Sequence, residues 1–163
     1  MDTMIKKIRI FRAKGEPGTP LSEVRAVSGH GLEGDRHGMD EQKPISLSDA
    51  GIQDWNRTQE YDALCFHRFK TNLTLEGLGQ LSLKPGDRIR IGDQVVLEIS
   101  SAFKKCYREQ CELYNHGIVC PLPGNMLFAV CRAGGVIREG DAVRCVREPW
   151  REVPWCSLPD GEP

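Results

Sequence analysis

From Leu83 to Ser100 the chain reads LKPGDRIRIGDQVVLEIS. No other stretch limits the fold as much. Ile89 and Ile91 alternate with arginines, Gly92-Asp93 reverses the direction, and Val95, Leu97 and Ile99 alternate on the return. A period of two with Gly-Asp at the reversal is the pattern of a β-hairpin with one apolar face. An isolated hairpin is marginal in water, so that face needs further strands to cover it. Lys84-Pro85-Gly86-Asp87 supplies the entering turn, and REGDAVRC at 138–145 echoes KPGDRIRI at 84–91. The echo implies a second strand entered in the same way. It sets Cys145 at the position of Ile91, an ordinary strand residue expected to behave as a small buried hydrophobe.

Further strands are legible elsewhere. Ile5, Ile8 and Ile10 among lysines and Arg9 suit a half-buried first strand ending near Phe11. Gly15–Gly38 reads as a long loop with a short strand at Glu23–Val27. Lys43–Leu47 is an expected strand, and Ser48-Asp49 caps a helix through about Arg57 with Ile52 and Trp55 on one face. Phe69–Leu75 and the apolar run Met126–Cys131 complete the set. Many short strands and few helices predict a mostly β (α+β) fold, a closed or nearly closed β-barrel with a few peripheral helices. The expected domain spans 1–147 and the proline- and tryptophan-rich tail 148–163. A chain of 163 residues can bury one real core without staples.

Composition narrows the function classes. Lys and Arg number 22 against 23 for Asp and Glu, so there is no global field of the kind that holds nucleic acid or an acidic membrane. The longest apolar run, Met126–Cys131, is far short of the roughly 20 residues that span a bilayer. The first residues lack the order of a signal peptide, and the chain reads as cytoplasmic. Seven cysteines are an odd number, and in a reducing compartment they point to reactivity or metal binding rather than disulfides.

Chemistry concentrates in KKCYREQC at 104–111, followed by His116 and Cys120. Cys106, Cys111, Cys120 and His116 could fill a tetrahedral zinc shell, yet zinc knuckles use two close pairs of cysteines and no second pair is present. A reactive thiolate instead needs adjacent cations or a helix N-terminus. Lys104, Lys105 and Arg108 supply the first, and a helix starting near 104 would supply the second, so Cys106 has the better environment. The plain alternative is a surface cysteine in a basic turn. Cys65 and His67 are expected to pack, and Cys156 belongs to the tail. A second constellation, GHGLEGDRHG at 29–38, allows backbone to approach a ligand, and His30, Arg36 and His37 could clothe an oxyanion. The alternative there is a tight loop in which Asp35 caps its own turn and the histidines are solvated. Asn72, near Arg68 and Lys70, either orients a ligand or holds a turn.

In this order, GLEGDRHG at 31–38, PISLSDAGI at 44–52, FKTNLTLEGL at 69–78, the 83–100 hairpin, KKCYREQC at 104–111 and FAVCRAGGVIREGDAV at 128–143 together resemble the MOSC domain family. The family is named for the C-terminal part of molybdenum cofactor sulfurases. The resemblance implies a β-barrel whose cysteine carries sulfur as a persulfide. Sulfur would come from a pyridoxal-phosphate-dependent cysteine desulfurase and pass to a molybdenum-pterin or metal-sulfur acceptor, on a molybdoenzyme or a cofactor-assembly protein. The family's cysteine corresponds to Cys106, its Glu-Gly-Asp-x-His segment to Glu33, Gly34, Asp35 and His37, and its Asn-Leu pair to Asn72 and Leu73. Cys120-Pro121 is similar to the short bacterial branch, in which Cys111 or Cys120 would resolve the persulfide or handle a second sulfur. Lys104, Lys105 and Arg108 would keep the sulfur anionic, while His30, Arg36 and His37 would hold phosphate or oxo groups of the acceptor. The chain has no room for a pyridoxal-phosphate fold of its own. Two other readings stand beside this one: a molybdenum cofactor binding and delivery module without sulfur transfer, and a structural zinc or iron-sulfur protein.

Overall fold

The computed structural model describes residues 3–39, 44–58, 71–101, 109, 111–118 and 125–146. In chain order the elements are β1 (Met4–Ile10), β2 (Thr19–Leu21), β3 (Glu23–Ala26), β4 (Ile45–Asp49), α1 (Ala50–Arg57), β5 (Leu73–Glu76) and a 3-10 turn at Leu78–Leu81. They continue with β6 (Arg88–Ile91), β7 (Val95–Ser101), α2 (Glu112–Asn115), β8 (Met126–Ala133), β9 (Gly135–Arg138) and β10 (Val143–Val146). The protein is mostly β, as the alternation predicts. Eight strands form one sheet in the order β10-β6-β7-β8-β4-β5-β1-β2, and β3 pairs with β9 separately. Among the described strands only β4 and β5 run parallel, so the large sheet is mixed.

The expected hairpin is present, with Ile89 opposite Leu97 and Ile91 opposite Val95. Its echo is structural as well. Asp87 accepts a bond from Lys84 N–H and Asp141 from Arg138 N–H, each at 2.8 Å, and Gly86 and Gly140 hold φ at 95° and 89°. Glycine adopts those angles at no steric cost. The two strands so launched, β6 and β10, pair with each other. Cys145 departs from expectation: Val143 takes the buried place opposite Ile91, while Cys145 is exposed. The reason is position, since β10 is a sheet edge and Cys145 lies close to its end.

In β1 the spacing of Ile5 and Ile8 is odd, which would set them on opposite faces of a regular strand. A bulge between Ile5 and Lys7 corrects this, so both isoleucines are buried and Lys6 and Lys7 both face out. The core then collects Ile5, Ile8, Ile45, Leu47, Leu73, Leu75, Ile89, Leu97, Leu127 and Cys131 on one face of the sheet. The predicted loop holds an additional short strand, β2, paired to the far half of β1. That leaves the start of β1 to reach the approach to β10 through an isolated bridge, Met4–Ala142, and bonds from Ile5 N to Asp141 O and from Val143 N to Thr3 O, both 2.9 Å. Among the described residues no closed barrel ladder forms, because the sheet ends at β2 and β10. The strand expected from Phe69 begins at Leu73, and the helix considered near 104 falls outside the described residues. No described helix is long and apolar enough to cross a membrane.

Candidate functional site

The glycine-rich loop is tied shut and then tied down. Gly31 N donates to Gly38 O at 2.8 Å, and His37 N donates to Asp35 Oδ2 at 3.0 Å, so Asp35 does cap its own turn. Gly31 could be nothing larger, because a Cβ there would lie 2.8 Å from Pro44 O and 3.0 Å from Gly38 Cα. Phe11 N donates to Asp35 Oδ1 and Arg36 N to Phe11 O, each at 2.8 Å. These two bonds fix the loop to the end of β1.

Asn72 provides the other anchor. Its Nδ2 donates to Asp35 Oδ1 at 3.1 Å and to Arg9 O at 3.0 Å, while its Oδ1 accepts from Ser46 N at 3.0 Å and Ser46 Oγ at 3.1 Å. An amide has two donors and two lone pairs, and all four are used. Asn72 therefore positions Asp35 and, through it, His37. Arg36 Nε donates to His37 Nε2 at 3.1 Å, which puts the proton of a neutral His37 ring on Nδ1. That Nδ1 is buried and has no partner among the described residues. An unsatisfied buried donor is costly.

The sequence-selected residues separate into groups. Asp35, Arg36, His37 and Asn72 meet in one network. Glu33 turns away, 67% exposed and 3.9 Å from Arg25. His30 is half-buried, in a turn closed by its own N–H on Val27 O, and no described side-chain bond joins it to Asp35. Cys111 is buried just before α2. Lys104, Lys105, Cys106, Arg108 and Cys120 lie outside the described residues, as do Cys65, His67, Arg68 and Lys70. Cys131 is core: burial pushes its thiol up to about 11. Among the described residues no group of three His, Cys, Asp or Glu side chains is placed to hold a metal. Ser46 and Ser48 were not singled out from the sequence. Their signal was there in PISLSDA, since alternate serines in a strand buried on both faces must find partners or leave polar atoms orphaned.

A mixed sheet with a glycine-rich loop stitched to its first strand defines the class, a mostly β domain with few helices. The MOSC domain profile matches residues 33–144, and the chain belongs to the MOSC domain family. Solved structures agree on the fold. The YuaD protein from Bacillus subtilis superposes with a TM-score of 0.64 at 15% identity, over 88% of this chain and 94% of that one. YiiM from Geobacillus stearothermophilus gives 0.59 at 18%, over 89% and 75%. YiiM from Escherichia coli gives 0.56 at 17%, over 91% and 71%. A search of curated proteins by sequence returned no match.

Proposed function

We propose that this MOSC domain carries sulfur as a persulfide on Cys106 and passes it to a molybdenum-pterin or metal-sulfur acceptor bound against the 29–38 loop. The observation that carries the reading is the orphaned His37 Nδ1 donor, held in place by Asp35 and Asn72 and suited to a phosphate or oxo oxygen of an acceptor. Strand register adds support. Ser101, the last residue of β7, pairs with Phe128, and Phe128 pairs with Ser46, the partner of Asn72. Ser101 thus lies in the row that holds the network.

In the loading step Cys106 thiolate attacks the terminal sulfur of the desulfurase persulfide. A new S–S bond forms, the donor S–S bond breaks, and the donor cysteine leaves as a thiolate. Attack of a second thiol, Cys120 or Cys111, on Cys106 Sγ would release hydrosulfide and leave a disulfide; Cys111 would first have to be uncovered. A reducing compartment, the cytoplasm, suits this chemistry. Barrel closure belongs to the same reading and is supported by the Met4–Ala142 bridge.

The test is incubation with a pyridoxal-phosphate-dependent cysteine desulfurase and cysteine, followed by intact-mass measurement. The expected result is a gain of one sulfur that Cys106→Ser abolishes and His37→Ala preserves, with transfer to the acceptor reduced in the second variant. A gain that survives Cys106→Ser removes Cys106 from the role.

A further inference from the structure

A cleft of about 730 Å³ opens over β1, β4, β5 and α1. Its polar floor is one row of the sheet: Lys7 stands opposite Thr74, Thr74 beside Ser48, and Ser48 opposite Met126. With strands about 4.8 Å apart, Lys7, Thr74 and Ser48 span roughly 10 Å. The bulge after Ile5 is what brings Lys7 into this row. Ser48 is 2% exposed, lines the cleft, and its Oγ has no hydrogen-bond partner among the described residues. A buried hydroxyl without a partner is rare, because strand polar groups normally find one.

Charge and shape point the same way. Arg9 and Thr71 also line the cleft, and Gly18 seats the Arg9 stem, since a Cβ there would overlap it and crowd Phe11. Among the described lining residues Glu139 is the one carboxylate and forms no ion pair with Lys7 or Arg9, so the described lining carries two cations against one anion. Ile52 and Met126, both buried, and Phe11 form an apolar wall. The volume far exceeds that of a bare tetrahedral anion and falls in the range of small-molecule pockets.

We propose that this cleft binds a small monoester of a tetrahedral oxyanion, phosphate or sulfate. Its anionic end would meet Lys7, Thr74 and Ser48 with Arg9 at the rim, and its apolar body would lie against Ile52, Met126 and Phe11. The proposal calls on no cysteine, so the inference stands apart from the persulfide reading. The experiment is calorimetric titration of the full chain and its Cys106→Ser variant with phenyl phosphate, phenyl sulfate and inorganic phosphate. Phenyl phosphate is expected to bind both proteins equally and more tightly than inorganic phosphate. Lys7→Gln and Ser48→Ala should each weaken it about tenfold, the size of one charge-assisted bond. Ser48→Ala should do so without lowering Tm, since it removes an unpartnered hydroxyl. The ranking of phenyl phosphate against phenyl sulfate names the oxyanion. Absence of saturable binding, affinity indifferent to both substitutions, or equal affinity for the ester and the bare anion would overturn the proposal. So would a Ser48→Ala loss that comes with a fall in Tm.

Discussion

Asn72 is 4% exposed, and its amide joins β1, β4 and the glycine-rich loop in a single node. Replacing it by alanine removes one hydrogen bond each from Asp35 Oδ1, Arg9 O, Ser46 N and Ser46 Oγ. Unmade buried bonds of this kind cost about 1–3 kcal/mol each before relaxation, so Asn72→Ala should destabilise the protein by about 2–4 kcal/mol. Urea denaturation measures this. A loss under about 0.5 kcal/mol would mean that the network rearranges freely. The same variant should also loosen His37, whose N–H bond to Asp35 sets the ring's position. None of this is local in sequence. Ser46 and Asn72 are 26 residues apart and Asp35 and Asn72 are 37 apart, so the family pattern could nominate Asp35 and Asn72 without saying that they touch.

Elements repeat one solution where sequence repeats. The two Gly-Asp turns form from residues three apart, which is why LKPGD and REGD disclosed them. Between β6, β7 and β8, by contrast, Glu98 bridges Arg88 at 2.8 Å and Arg132 at 3.2 Å, a triad that only the strand order creates. Burial would raise the Glu98 carboxyl, but the hydrogen bonds and charges of Arg132 and Arg88 outweigh it and hold the pKa below the usual 4.5. A carboxyl lowered on folding stabilises the protein above its unfolded pKa, and the contribution is lost as pH falls through the lower folded value. Glu98→Gln should therefore be less stable than the parent at pH 7, with the difference shrinking below about pH 4.5. Thermal melts across that range check it; a gap constant with pH would exclude the linkage.

At the scale of the molecule, one apolar cluster with members from β1 and from each strand β3 to β10 carries the fold. Leu127 of β8 is fully buried within it, between β4 and β7 in the sheet. Leu127→Ala should cost about 2–5 kcal/mol through lost burial and the cavity left behind, with a single cooperative transition retained. Chemical denaturation followed by two probes would show it, and non-coincident curves would mean that the two halves of the sheet unfold separately. The opposite face of β4 and β5 carries Ser46, Ser48, Asn72 and Thr74, all buried. One sheet thus divides its labour between an apolar core and a polar face that organises the loop and floors the cleft.

By itself the sequence determined the strand-rich class, the hairpin, the twin turns, the helix cap at Asp49 and the buried course of Cys131, because each follows from periodicity or from residues within one turn of each other. Its family pattern also nominated Asp35, His37 and Asn72. Tertiary structure alone decided that these meet at Asp35, with Ser46 holding the Asn72 amide, that Glu33 faces water, that the edge position exposes Cys145, and that a bulge turns Lys7 into a row with Thr74 and Ser48. Strand order and register set those outcomes, and both arise from contacts between residues tens of positions apart, which local pattern does not encode.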